Sequence, residues 1–508
     1  MPASLPVRVV DDPSDGFRRL PHLEIAEPDL RVSFDVLGGD RIRARMSGPA
    51  VPALAGGEHR ADLAAHPGEV RAAGSRLCRL WEEVFVDHQP TDTRGRPEVG
   101  RIRPFATAAD LVAEPEEEVR AAVDELVREG ASVLFDVLLA GDDPPVRLFR
   151  SYLTTALAHE GLRVRFDSPD LHLPWPMLCL GRAHTAAPRS TTGSLVGKDS
   201  PVALVHARST ADVAGSAGPE PQRAVVPMPT DRPADAPLEF ESRSEPAPEP
   251  ALEALFDLFL GHRHQIEHTG DAYPWIRPLA TTTGSASKVS VNHDPSVGPK
   301  TRAPDVVKKL IARPGSVERT THRELVRDLR QRHVSDEFMY FWVHGSFEPD
   351  GASSARLVIR LNDGRTIDAG TIREARARHR HAGTFRPFIL LNACHGGTPA
   401  DADHAHLARA LIEHGAQGVL GPTIRMPQAF AAEYALAFVT RYLHEGATAG
   451  TAARDLARDF AARYRNPLGL AYALHCGMDT RLPLPPSDTA PPTVDPPPSS
   501  RPAGRETP

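Results

Sequence analysis

Cys394 follows the apolar run "FILLNA" and precedes His395, Gly396 and Gly397; fifty positions upstream, His344 follows "FMYFWV" and precedes Gly345. A free thiol, with a pKa of about 8.5, is only a few per cent thiolate at pH 7. A nearby imidazole removes that limit by taking the proton or pairing with the thiolate, and it can later protonate a leaving amine. On these residues alone Cys394 has three open roles: nucleophile, metal ligand, or small core residue ahead of a turn. Adjacent side chains on an extended chain diverge, so His395 is a poor partner for Cys394 at a metal, and neither metal nor cofactor is expected. Cys78, Cys179 and Cys476 sit in apolar contexts with no matching His-Gly pair and read as structural.

The elements that must position these groups alternate between strand and helix. "SDEFMYFWV" (335–343) and "RPFILLNA" (386–393) are short, nearly continuous apolar runs, as expected of strands buried on both faces of a sheet. Between them, "SARLVIRL" enters a tight turn at Asn362–Gly364, and a helix over 371–381 returns the chain. After Cys394 a helix with His404 and His406 in its first turn stops at Gly415, and a strand covers 417–421. Two further helices follow, the first opened by Pro427 and closed near Gly446. This βαβ succession predicts an α/β fold whose parallel strands end along one edge, the usual place for ligands. Strand ends there can bring His344 and Cys394 together.

Bulk properties narrow the function. The 508 residues can bury a sizeable core, and 59 basic against 66 acidic residues give a net charge of -7, which argues against nucleic acid as a partner. Four dispersed cysteines suggest neither a disulfide framework nor a zinc ribbon, so reduced thiols and a cytoplasmic location are expected. No signal peptide is apparent, and no apolar run nears the roughly 20 residues a membrane helix requires. Proline, 50 residues in all, is concentrated in a tail over 483–508, read as disordered, and in a linker or insertion over 208–250. "HRHQIEH" holds His264 and His268 at i, i+4 spacing without the glutamate a zincin needs, and reads as a solvated helix end. Trp175, after Pro174, reads as a core anchor.

"YFWVHGSF" and "LNACHGG" resemble the His-Gly and Ala-Cys strand ends of the CHAT-domain peptidases, bacterial relatives of caspases and separases. The segment from Gly415 to Phe460 is similar to that family's strand, loop and two helices after the cysteine, and "NPLGLAYALHCGMDTRL" to its C-terminal end. Upstream, the stretch holding "LPW" at 173–175 resembles more loosely the N-terminal half of such proteins. The resemblance implies a caspase-like, mainly parallel sheet flanked by helices. It divides the chain into an extension (1–29), an N-terminal half (30–207), the insertion (208–250), a catalytic half (251–482) and the tail.

Carried over by position, the resemblance implies Cys394 as nucleophile, His344 as acid/base, and an oxyanion hole from the backbone N–H groups of Gly345 and Cys394. Gly345 suits that place independently, since without a Cβ its backbone can approach a substrate closely. Many family members carry an acid where this chain has Gln428 in "IRMPQ", with Arg425 nearby; these two are the candidate substrate-pocket residues. The implied function is a cysteine endopeptidase acting on a protein or peptide, an effector in bacterial defence or signalling controlled by a sensor protein in trans. The competing reading is a catalytically silent caspase-like interaction module.

Overall fold

The computed structural model describes residues 27–52, 59–87, 108–181, 251–270, 288–350, 354–379, 384–397 and 407–482. The chain divides into a unit of Met1–Thr185 with Ala251–Pro508 and a second unit, Ala186–Pro250; every described residue belongs to the first. The proposed insertion over 208–250 and the tail over 483–508 lie outside the described residues.

Sixteen strands occur among the described residues: β1 (Leu30–Leu37), β2 (Arg41–Ser47), β3 (His59–Leu63), β4 (Arg163–Asp167), β5 (Gln265–Thr269), β6 (Val289–His293), β7 (Val317–Arg319), β8 (His333–Val334), β9 (Phe338–Trp342), β10 (His344–Asp350), β11 (Ser354–Arg360), β12 (Thr366–Ile367), β13 (Thr384–Phe385), β14 (Phe388–Asn392), β15 (Gly418–Pro422) and β16 (Tyr472–His475). Eleven form one sheet in the order β3-β2-β1-β4-β5-β16-β15-β14-β9-β6-β7. Strands β1, β4, β5 and β16 run parallel to one another, as do β15, β14, β9, β6 and β7. The two parallel sets meet antiparallel at β15 and β16, and β2 and β3 extend one edge as an antiparallel meander. The expected mixed α/β fold with a large, mainly parallel sheet flanked by helices is the one observed.

The apolar runs are continuous because both faces of the central strands are covered. Phe338, Tyr340 and Trp342 of β9, with Phe388 and Leu390 of β14, pack into one hydrophobic cluster; Met339, Phe341, Ile389 and Leu391 point the other way into a second. Each fully buried large side chain contributes about 1.5–3 kcal/mol relative to exposure. Helices carry their own start and stop signals. Asp368 and Thr371 form a reciprocal cap for Ala369–Arg376, Thr321 and Glu324 do so for His322–Leu329, and Pro427 precedes Gln428–Leu443 as expected. Gly364 (φ 69°) sits in the turn between β11 and β12, and Gly415 (φ 115°) follows the Leu407–Glu413 helix. His404 and His406 lie outside the described residues.

The solvated helix expected around His264 and His268 is not observed. A single turn, Leu260–Arg263, leads into β5, and His264 and His268 are 1% and 4% exposed. Local i, i+4 spacing could not reveal that β4 and β16 flank this segment and bury it as a strand. Trp175 is 2% exposed and stacks on Phe166 at 3.8 Å and on Phe34 at 5.4 Å, the anchor role read from the sequence.

Candidate active site

Strands β9 and β14 are adjacent and parallel, with Phe338 opposite Phe388 and the register running to Trp342 opposite Asn392. Each chain then continues for one residue, Val343 or Ala393, before reaching His344 or Cys394. The two candidates therefore leave the sheet at equivalent points of neighbouring strands, and Val343 N–H still donates to Asn392 O at 3.4 Å. Gly345 seals the approach. A Cβ built there would stand 3.1 Å from both the amide nitrogen and the carbonyl carbon of Cys394 and closer to its oxygen.

Beyond these ends the chains diverge in kind. His344 opens β10, which pairs with β11 in a hairpin outside the main sheet, and its side chain is exposed. Cys394 opens a turn through Gly397 and is half-buried. That turn puts His395 in the left-handed region (φ 59°), with His395 N–H donating to Ile424 O at 3.1 Å and Gly397 N–H to Pro422 O at 2.8 Å. Beneath it, Asn392 donates to Ala431 O at 2.9 Å and accepts from Tyr472 Oη at 2.8 Å, tying the end of β14 to the Gln428–Leu443 helix and to β16.

Burial pushes the Cys394 thiol above its ordinary value, and the Glu82 carboxylate adds to the rise; the Met426 amide, the Arg425 guanidinium and the residue's own N–H oppose it without cancelling it. These surroundings favour the thiol over the thiolate. An acceptor is needed to ionise it.

Glu82 is the residue that sequence reasoning missed. It ends the Pro67–Glu82 helix, which continues as a π turn over Glu83–Asp87. Its carboxylate accepts from Arg425 N–H at 2.7 Å and Arg425 Nε at 3.1 Å, and lies 3.6 Å from His395 Nε2. Arg425 also pairs with Asp87. Two carboxylates from the N-terminal half therefore hold the loop after β15, and they offset the positive charge that Arg425 would offer an acidic substrate residue. Gln428 is exposed at the start of its helix, where its Oε1 lies beside Gly298. The 294–301 loop there wraps Trp342, whose Nε1 donates to Val297 O at 2.9 Å.

His395 faces Glu82 and packs against Phe347, ring centroids 5.0 Å apart; burial depresses its pKa while Glu82 pulls upward. Among the described residues no group of three His, Cys, Asp or Glu side chains is placed to hold a metal ion, and no helix is long and apolar enough to cross a membrane. Cys179 and Cys476 are buried, and burial raises both thiols well above the ordinary value. Cys78 is half-buried, its thiol pushed up to about 12 chiefly by burial.

No protein-family model and no curated protein matches the chain. Among solved structures, a chain of the Saccharomyces cerevisiae separase-securin complex aligns at a TM-score of 0.29 and 13% identity, over 43% of this chain and 14% of its own.

Proposed function

We propose that the protein is a caspase-like cysteine endopeptidase of the CHAT type, with Cys394 as nucleophile and His344 as acid/base. The observation that carries this reading is the β9-β14 register, which ends two adjacent parallel strands in the two residue types that thiol acyl transfer requires. His344 takes the thiol proton. The sulfur attacks the peptide carbonyl carbon, and the carbonyl π pair moves onto oxygen, where the N–H groups of Gly345 and Cys394 receive the charge. On collapse the C–N bond breaks, and the imidazolium returns its proton to the departing amine. Water, deprotonated by His344, then attacks the thioester; C–S cleavage releases the acid and regenerates the thiol.

The resemblance to CHAT peptidases extends the reading from the chemistry to its setting. This fits an effector of bacterial defence or signalling under a sensor in trans. A permanently silent interaction module is the competing reading. A peptidyl acyloxymethyl ketone separates the two: labelling that is lost in Cys394→Ala and kept in Cys476→Ala supports the peptidase. Labelling of Cys394→Ala equal to that of the wild type removes it.

A further inference from the structure

A cavity of about 540 Å³ lies among the Pro67–Glu82 helix, the 170–176 segment, strands β5 and β16, and the β10-β11 hairpin. Neither Cys394 nor His344 lines it, although His395 and Gly397 of the turn after Cys394 do, and the acyl-transfer steps leave it unused. Its volume is that of a small-molecule site, typically about 300–1,000 Å³.

The wall has a definite chemistry. Arg71, Ser75 and Arg79 recur at i, i+4 and i+8 on one helix face, exposed at the mouth, with the two arginines about 12 Å apart along the axis. Glu82 and Asp170 stand at the same wall: Glu82 is already engaged by Arg425 and His395, and Arg71 Nε donates to the backbone oxygen of Asp170 at 3.2 Å, leaving its terminal guanidinium nitrogens toward the mouth. Deeper in, Leu173, Pro174 and Trp175 supply apolar surface.

The floor is polar but uncharged. His268 Nε2 lies 3.0 Å from Ser168 O, and His475 Nε2 lies 3.0 Å from Gly397 O, so in each ring that nitrogen carries the proton. Burial keeps both rings neutral. His268 Nδ1 is then an acceptor, and His172 Nδ1, 3.2 Å away, donates to it.

We propose that this cavity binds a small organic anion, one with a carboxylate, phosphate or sulfonate head and an apolar body, beside Cys394 and His344 and without contact to either. The head meets Arg71 and Arg79 at the mouth, and the body lies along Leu173, Pro174 and Trp175 over the imidazole floor. Phe347 gives the site a route to the reacting groups. It lines the cavity, is 40% exposed for so large an apolar side chain, stands three residues after His344, and packs on His395 beside Cys394. A bound apolar body covers Phe347 and shifts the packing of both strand ends.

The test titrates the full chain with 8-anilinonaphthalene-1-sulfonate, an anion of this class. Saturable binding of one probe per chain is expected, weakened at least tenfold in Arg71→Ala/Arg79→Ala and abolished in Ser75→Trp, whose indole fills the mouth. Cys394→Ala should bind as the wild type does, which separates this site from the catalytic reading. Saturating probe should also change the rate of Cys394 alkylation by iodoacetamide at least twofold in the wild type and leave it unchanged in Ser75→Trp. Absence of saturable binding, binding intact in both mouth variants, or an alkylation rate indifferent to the probe would overturn the proposal.

Discussion

Gly345 and Cys394 are in backbone contact, so close that a Cβ on the glycine would stand 3.1 Å from the cysteine's amide nitrogen and carbonyl carbon. The residue after the candidate base thus abuts the candidate nucleophile directly. The contact fixes the spacing between the β9 and β14 ends. No flexible side chain lies in the way to yield; the clash is with backbone.

Gly345→Ala should therefore cost about 1–3 kcal/mol, as overpacking of a tight site does, and should abolish labelling of Cys394 by a peptidyl electrophile. Urea denaturation gives the first quantity and quantitative mass spectrometry the second. Wild-type stability and labelling in this variant would show that the two strand ends are not in contact.

Glu82 and Arg425 act on the Cys394 thiol with opposite signs, the carboxylate raising its pKa and the guanidinium lowering it. Glu82→Gln should make the resting thiol react faster with iodoacetamide at pH 7.5, and Arg425→Gln should make it react more slowly. The two rates moving in the same direction would mean that the electrostatics of this loop have been misassigned.

Much of the chain after residue 300 is legible in the sequence because its signals are local. The runs at 335–343 and 386–393 are apolar at every position that both hydrophobic clusters use, and Pro427 and Asn362–Gly364 punctuate the chain where the structure begins a helix and makes a turn. The antiparallel seam between β15 and β16 is not legible, nor is the burial of His264 and His268. Both depend on which strands come to lie side by side, and strand pairing over such separations leaves no local period. Glu82 escaped for the same reason. No motif in "WEEVFVD" marks it, and only the fold carries it to a partner 343 positions away.

Burial of neutral imidazoles makes stability depend on pH. His262 and His475 are depressed to about 4 and His264 to about 3, in each case chiefly by burial. The unfolded chain takes up these protons near pH 6.5 while the folded chain refuses them, so stability is full above about pH 6.5 and falls as the pH drops toward 4. Each histidine contributes a slope of about 1.4 kcal/mol per pH unit in that window. Urea midpoints measured from pH 7.5 to 5 should fall steeply, with a shallower fall in His264→Phe. Midpoints flat across the window would contradict the burial of these rings.

Arg319, 4% exposed, ends β7 and holds Asp336 at 3.0 Å, Asp328 at 2.8 Å and Asn292 Oδ1 at 3.3 Å. These partners belong to β6, to the His322–Leu329 helix and to the segment leading into β9. Arg319→Met leaves Asp336 buried without its counter-charge and should cost about 3–5 kcal/mol. Adding Asp336→Leu should restore much of that loss. No recovery in the double variant would mean that the arginine acts through packing alone.

The dyad itself is tested most directly by the rate at which iodoacetamide alkylates Cys394 in the wild type, His344→Ala and His395→Ala, between pH 6.5 and 10. His344→Ala should be at least tenfold slower at pH 7, with the gap closing toward pH 10 as solvent base ionises the thiol, and His395→Ala should be affected much less. Equal rates for wild type and His344→Ala at pH 7, or a larger loss in His395→Ala, would contradict it.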